Sequence, residues 1–486
     1  MRQDNKEGAP VPVLYYVLVD GIQQGPYIET ALHAQVAAGL LPADVMVWAE
    51  GMQEWKAHNL VFPQKEETSE SAMQKTRPSE SARKAAMKAV TKVNSLVGDI
   101  SGLETLEGFS WKKFFSAVFR KHSDEEVHEM FNCGSKHNTP SLDQISPAWP
   151  TPWLFTRMLV YGIVLAWLFW WGVEKMGNIL LFPGFILFSA MAVPFAVSVL
   201  FFELNIRRDI SLYNFQRCLI GGGTAAIAYT LIMHAFFEEN GINLGGAWWA
   251  GPIEEAAKLY AALLVIKFFK IKNIRILTGV LIGCAVGAGF AIFETAGYIF
   301  NDSVPNIFLL GADNVFANAP EELQNTIVEY CKRSLGEDWS PASFQCTAIL
   351  RGLLAPLCHV VWTAVVVGAF FRASNMREEE SAQKLEWKNI DWMTVADARF
   401  LKVALFPVAL HMIWNSQEVV GMIFDESTPF LYLLIIWPLL GLIAWILALR
   451  MVQAGINQVR KEKKNEASEA YVVHPAPIII NRRVEE

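Results

Sequence analysis

Charge is scarce in this chain. Only 18% of its 486 residues are Asp, Glu, Lys or Arg, while 53% are hydrophobic. That balance excludes a wholly soluble protein and points to membrane-embedded sequence joined to some soluble sequence. The net charge of −7 argues against a nucleic-acid partner. The first forty residues lack the charged-then-apolar pattern of a secretory signal, which places the N-terminus in the cytoplasm. The six cysteines show no CxxC spacing, so no structural zinc framework is present. There is no HExxH, which removes the strongest single zinc signal but leaves dispersed ligands open. No GxSxG occurs in the apolar runs, and no serine-protease pattern is recognisable.

What the chain has in abundance is long apolar runs, with 17 Trp and 31 Phe. Segments of roughly 20 residues, enough to cross a bilayer, lie at 153–173, 179–203, 217–237, 247–267, 277–300, 347–371, 399–422 and 428–449. The expected fold is an all-α polytopic membrane protein of about eight transmembrane helices. A small α+β N-terminal cytoplasmic domain precedes them. The runs 247–267 and 399–422 carry polar residues inside, so seven spans plus a re-entrant helix is the alternative. Basic residues orient the bundle. Arg207, Arg208, Lys267, Lys270, Lys272, Arg275, Arg372, Arg377 and Arg450 all fall on one side. The opposite loops carry Glu238, Glu239, Asp425 and Glu426. Both termini are therefore expected on the cytoplasmic side, and the RKEKK run at 460–464 agrees.

The chain divides by composition into 12–62, a polar linker at 63–108, an amphipathic juxtamembrane segment at 109–150, a membrane domain at 151–452 and a basic tail at 453–486. In the first part, VLYYVLVDGIQQGPY places Asp20 and Gly21 as a hairpin turn between two apolar segments. A helical stretch follows, then VMVWAEGMQEW. The GPY at 25–27 and VWAEGMQEW at 47–55 resemble the GYF-like domain of many bacterial proteins. The resemblance implies an interaction module that docks a proline-rich peptide on Tyr16, Tyr27 and Trp48. The alternative is that these aromatics fill a tiny core. In WKKFFSAVFRKH (111–122), Trp111, Phe115, Val118 and Phe119 share a helical face with Lys112, Lys113, Arg120 and Lys121 around it. That pattern suits a helix on an anionic leaflet, or one packed on the membrane domain.

The run GPIEEAAKLYAALLVIKFF (251–269) sets carboxylates where hydrocarbon is expected. Intramembrane ionisable groups are costly and point to a function. At about 100° per residue, Lys258 lies one turn beyond Glu254 and Glu255 and between them in azimuth. The next span carries Gly279, Gly283 and Gly287 at four-residue intervals, a seam for close helix contact. On the same helix Phe290, Glu294 and Tyr298 recur every four residues. The following runs bring His359 with Thr363, and His411 with Asn415. From the rise per residue, Glu254 and Glu294 lie roughly 10 Å below the outer surface, and the two histidines roughly 16–18 Å. A cluster at shared depth is the expectation. Cys358 points about 100° away from His359 and reads as packing. Cys331 and Cys346 share an outer loop and pair only if the compartment is oxidising.

EEAAK, FAIFE, His359 with its following turn, and HMIWN occur in order on successive predicted spans. Together they resemble the PrsW family of intramembrane proteases, and more distantly the type II CAAX prenyl endopeptidases. The CAAX group ends the second motif in His where this chain has Glu294. That counts against carrying over the CAAX mechanism or a prenylated substrate. The resemblance implies catalytic roles for Glu254, Glu255, Lys258, Glu294, His359, His411 and Asn415. In a metal-free version, one glutamate of the pair deprotonates water, Glu294 and His359 hold it or shuttle the proton, and His411 and Asn415 face the oxyanion. In a zinc version, Glu294, His359 and His411 bind the metal. The similarity to glutamate-dependent relatives favours the version with no required cofactor. The implied setting is a bacterial cytoplasmic membrane, and the implied substrate a single-span regulatory membrane protein cut near the outer face. A proton-coupled transporter would show internal repeats, and none is seen. A membrane scaffold would use the polar set as hydrogen-bonded glue.

Overall fold

The computed structural model describes residues 13–473 apart from 20, 38–40, 43, 63–79, 136, 243–245, 273, 311–319, 321–324, 326–342, 382–387, 389 and 417–434. Cys331 lies outside the described residues, as does the side chain of Cys346. The chain divides into two units, Met1–Lys88 and Ala89–Glu486.

The first unit holds a four-stranded antiparallel sheet of order β2-β1-β3-β4. Its strands are β1 (Leu14–Val19), β2 (Ile22–Ile28), β3 (Met46–Ala49) and β4 (Lys56–Ala57). Helix α1 (Glu29–Ala37) follows β2. Val19 pairs with Ile22, so the expected hairpin forms around Gly21, whose φ of 80° favours glycine. Alternation along β1 turns Tyr15, Val17 and Val19 to a core with Leu32, Leu41, Val45 and Val47. Tyr16 faces the other way.

Helix α2 (Glu80–Ser101) lies in the segment expected as a linker, and from Ala89 on it belongs to the second unit. One face of its second half is packed, with Val97 and Ser101 buried while Leu96 and Ile100 are exposed. Val97 and Leu103 are buried with the main core. The Arg450 side chain donates to Asn94 O at 2.7 Å, Leu103 O at 2.7 Å and Glu104 O at 3.1 Å. Gly98 makes room for that guanidinium, because a Cβ there would stand 2.3 Å from Arg450 Nη1. The helix expected over 111–122 is a single turn, Trp111–Phe114. Phe114, Ala117 and His122 are buried there, and of the expected face Trp111, Phe115 and Phe119 are exposed and Val118 is half-buried.

Among the described residues, eight long helices follow where eight apolar runs were expected. They are α3 (Leu154–Met176), α4 (Phe182–Leu204), α5 (Leu212–Glu239), α6 (Ala250–Phe268), α7 (Ile276–Leu310), α9 (Ala355–Ser381), α10 (Ala398–Trp414) and α11 (Trp437–Val473). A shorter α8 (Ser343–Leu353) precedes α9. Among the described residues six are long and apolar enough to cross a membrane: α3, α4, α5, α7, the stretch Ala348–Glu379 and α11. Helices α6 and α10 fall short for physical reasons. Glu254, Glu255, Lys258 and Lys267 interrupt α6, and α10 runs only to Trp414, just before the undescribed 417–434. The protein is a multi-pass membrane protein.

Glycine sets the helix contacts at the centre. A Cβ on Gly287 would lie 2.7 Å from His359 O, and one on Gly283 2.5 Å from Thr363 O. The seam read in the sequence thus presses α7 onto α9. Gly289 meets α5 even more closely, its would-be Cβ 1.9 Å from Leu219 O, beside the π-turn Cys218–Gly222. Gly251 lets the start of α6 reach α10, with Met412 N 2.9 Å from its would-be Cβ.

Candidate active site

These close approaches bring the polar groups together. Glu254 and Glu255 lie three and four residues after Gly251, on the same face of α6, so they meet α10 at His411. Phe290 and Glu294 lie three and seven residues after Gly287, so they meet α9 at His359. Lys258 is the hub. Its Nζ donates to Glu254 Oε2 at 3.0 Å and Glu255 Oε1 at 2.9 Å, and sits 3.0 Å from His359 Nδ1. It also lies 4.0 Å from the centre of the Phe290 ring.

The ring nitrogens have definite roles. An ammonium only donates, so His359 Nδ1 accepts from Lys258 and its proton is on Nε2, 3.5 Å from Glu294 Oε2. A carboxylate only accepts, so His411 Nδ1 donates to Glu255 Oε1 at 3.1 Å. His411 Nε2 then offers a lone pair, 3.6 Å from Glu254 Oε2. The two rings lie 4.8 Å apart, and Trp362 packs against both.

A cavity of 990 Å³ opens on this cluster. Glu254, Glu294, His359, His411 and Asn415 line it, together with Phe290 and Tyr298. Glu255 and Lys258 stand behind that lining, fully buried. All seven expected catalytic residues are therefore gathered in one region: five at the cavity wall and two supporting them. Cys358 lies apart in the apolar core, in keeping with a packing role.

Arg351 was not singled out in the sequence. It reaches from α8 to Glu294 Oε1 at 3.1 Å, and its guanidinium lies 3.7 Å from the centre of the Tyr298 ring. Its signal was present, as a lone arginine near the start of an apolar run. With Arg351 counted, three carboxylates face two fixed cations, so the formal charge is −1 when all are ionised and the histidines are neutral.

That deficit suits a cation. Ligand atoms of Glu254, His359 and His411 lie within 4.8 Å of one another, all buried. Two histidines and one carboxylate form a donor set that zinc accepts. Buried Oε2 atoms of Glu255 and Glu294 lack a hydrogen-bond partner among the described residues. The grouping differs from the expected Glu294, His359 and His411 set in taking its carboxylate from Glu254.

In the first unit, Tyr16 pairs across the sheet with Trp48, ring centres 6.2 Å apart, and Trp55 extends the row at 6.4 Å. Tyr27 packs instead on the core side. Two of the three expected peptide-docking aromatics thus share a half-buried surface, and Trp55 joins them.

The model of the PrsW family intramembrane metalloproteases matches residues 214–443, and that of GYF domain 2 matches residues 15–61. No curated protein and no solved structure matches the chain. The first match spans α5 to the start of α11 and encloses every residue of the cluster. Residues 214–443 are thus a PrsW family intramembrane protease domain, and residues 15–61 are a GYF domain.

Proposed function

We propose that this peptidase cleaves a membrane-protein substrate with water activated by Glu254. The observation that carries this assignment is position: of the adjacent glutamates, Glu254 lines the cavity and Glu255 does not. Lys258 holds the Glu254 carboxylate from behind. Glu254 accepts the proton of a water in the cavity as that water attacks the scissile carbonyl. Asn415 faces the same space, and its side-chain amide orients the carbonyl and donates to the developing oxyanion, while His411 Nε2 accepts from the second O–H of the water. Glu254 then gives that proton to the leaving amine as the C–N bond breaks, and Glu294, fixed by Arg351 beside the protonated Nε2 of His359, helps to hold the water. A zinc ion held by Glu254, His359 and His411 would supply Lewis-acid polarisation at the same place.

The substrate we infer is a single-span regulatory protein of a bacterial cytoplasmic membrane, cut near the outer face. Glu294 lies about 27 Å along α7 from its first residue, and Glu254 about 21 Å from the last residue of α6. Those two ends flank the loop of Lys267, Lys270, Lys272 and Arg275, which basic-residue bias assigns to the cytoplasm together with both termini. The cluster then lies towards the opposite leaflet. The row of Tyr16, Trp48 and Trp55 suits a proline-rich peptide. We assign residues 12–62 to that docking role.

Co-expression with tagged candidate single-span proteins tests the reading. The wild-type chain is expected to release a fragment that Glu254→Gln does not, at equal membrane insertion. Equal fragment patterns from both would overturn the assignment of Glu254.

A further inference from the structure

Residues 111–121 form an outward-facing aromatic and basic patch at the end of the first span. Phe115 packs on Phe155, in the first turn of α3, with ring centres 6.4 Å apart. Ala117 is buried with Trp153, Leu154 and Val199, the last of these one turn from the end of α4. His122 stacks on Trp153 at 3.6 Å. The segment is thereby fixed at the level where α3 begins and α4 ends. Both are spans, so that level is a bilayer surface. It also lies at the rim of the bundle. Helix α3 is the least buried of the spans, with Val160, Tyr161, Val164, Trp167 and Trp171 exposed along it.

From that fixed segment, three aromatic side chains point away from the protein. Trp111 is 58% exposed, Phe115 41% and Phe119 95%. Trp111 and Phe115 are stacked, with ring centres 5.9 Å apart and planes 10° from parallel. Such rings favour the headgroup level of a bilayer. Lys112, Lys113 and Lys121 are exposed among them. Arg120 is engaged with Glu126, whose other oxygen takes His122, so the neighbouring acidic helix does not neutralise the lysines by that route.

We propose that this patch is a binding surface for anionic phospholipid headgroups. The three rings enter the interface beside α3, and Lys112, Lys113 and Lys121 meet the phosphates. The occupant follows from two features together: the patch continues the lipid-facing surface of a span, and its charge is opposite to that of an anionic leaflet. Nothing in this inference depends on the catalytic reading.

The test is hydrogen exchange of the full chain in nanodiscs, read by mass spectrometry. One set of discs contains phosphatidylcholine alone, the other phosphatidylcholine with phosphatidylglycerol. Amides of 111–121 are expected to exchange at least about fivefold more slowly with phosphatidylglycerol, the order expected for even one lysine near an anionic surface. Exchange in the spans should be unchanged. The triple variant Lys112→Gln, Lys113→Gln, Lys121→Gln should lose the difference, and the corresponding arginine variant should keep it. Inorganic phosphate added in detergent should not slow exchange. Equal exchange in the two discs would overturn the proposal, and so would slowing by phosphate alone. If the glutamine variant fails to insert, the wild-type comparison still decides.

Discussion

Lys258 Nζ stands 3.0 Å from Nδ1 of His359, a residue 101 positions further along the chain. One buried ammonium therefore joins the glutamate pair of α6 to the histidine of α9. It sets which nitrogen of His359 carries a proton, and it balances Glu255, which has no access to the cavity.

Lys258→Met should be among the most damaging single changes in the membrane unit. It leaves Glu255, only 1% exposed, without its cation. Breaking a buried pair by removing one partner costs about 3–5 kcal/mol. The expected result is a lower melting temperature in detergent together with loss of cleavage. Glu254→Gln should differ, losing cleavage while melting near the wild type, because Lys258 keeps Glu255. Equal melting of both variants would show that Lys258 does not hold the cluster together.

Metal dependence can be argued from the same hydrogen bonds. Lys258 already occupies Glu254 Oε2 and His359 Nδ1, so a metal using those atoms would have to displace it. His411 Nε2 is the lone pair left available. Activity is therefore expected to survive dialysis of the purified protein against a strong chelator. Stoichiometric zinc, lost in His411→Ala and His359→Ala, would reverse this and make Lys258 a group that moves aside. Metal analysis beside activity separates the two outcomes.

Arg351 is expected to position Glu294 rather than to bind substrate. It is bound to Glu294 Oε1 at 3.1 Å and braced on Tyr298. A charge-assisted bond of this kind contributes about 1–3 kcal/mol. Arg351→Ala should therefore lower kcat roughly tenfold to a hundredfold with KM little changed. Arg351→Lys should recover part of the loss. A rise in KM at constant kcat would mark Arg351 as a substrate contact instead.

Much of this site was legible in the sequence because helix geometry is local. The spacing of Glu254, Glu255 and Lys258 makes their contact nearly obligatory within one turn, and the four-residue recurrence of Gly279, Gly283 and Gly287 announced a close helix pair. The hairpin at Gly21 was equally local. What escaped was set by relations between helices. Whether Glu254 or Glu255 faces the cavity depends on the rotation of α6 about its axis, and a step of about 100° separates them. Arg351 finds Glu294 only once α8 has folded onto α7. Residues 89–108 fall within the segment 63–108 that reads as a linker, because its polar character is plain in the sequence. The partner that ties Asn94, Leu103 and Glu104 down, Arg450, lies some 350 residues away and binds largely backbone carbonyls, which no side-chain pattern reveals.

That last contact separates two truncations. Residues 1–62 belong to the first unit, and the division between units falls after Lys88. Removing 1–62 should therefore leave the peptidase folded and its rate on a model substrate in detergent unchanged, while altering partner choice. Removing 1–104 should not be tolerated in the same way. Arg450 is 1% exposed, and its acceptors are Asn94, Leu103 and Glu104. Without them a buried guanidinium on α11 has lost its partners, a defect of about 3–5 kcal/mol if it stays buried. The expected outcome is a lower melting temperature for the longer deletion, relieved in part by Arg450→Met, which removes the stranded charge. Equal melting of the two truncated proteins would show that the Arg450 contact contributes little. A folded but inactive 1–62 deletion would show that the GYF domain controls the site.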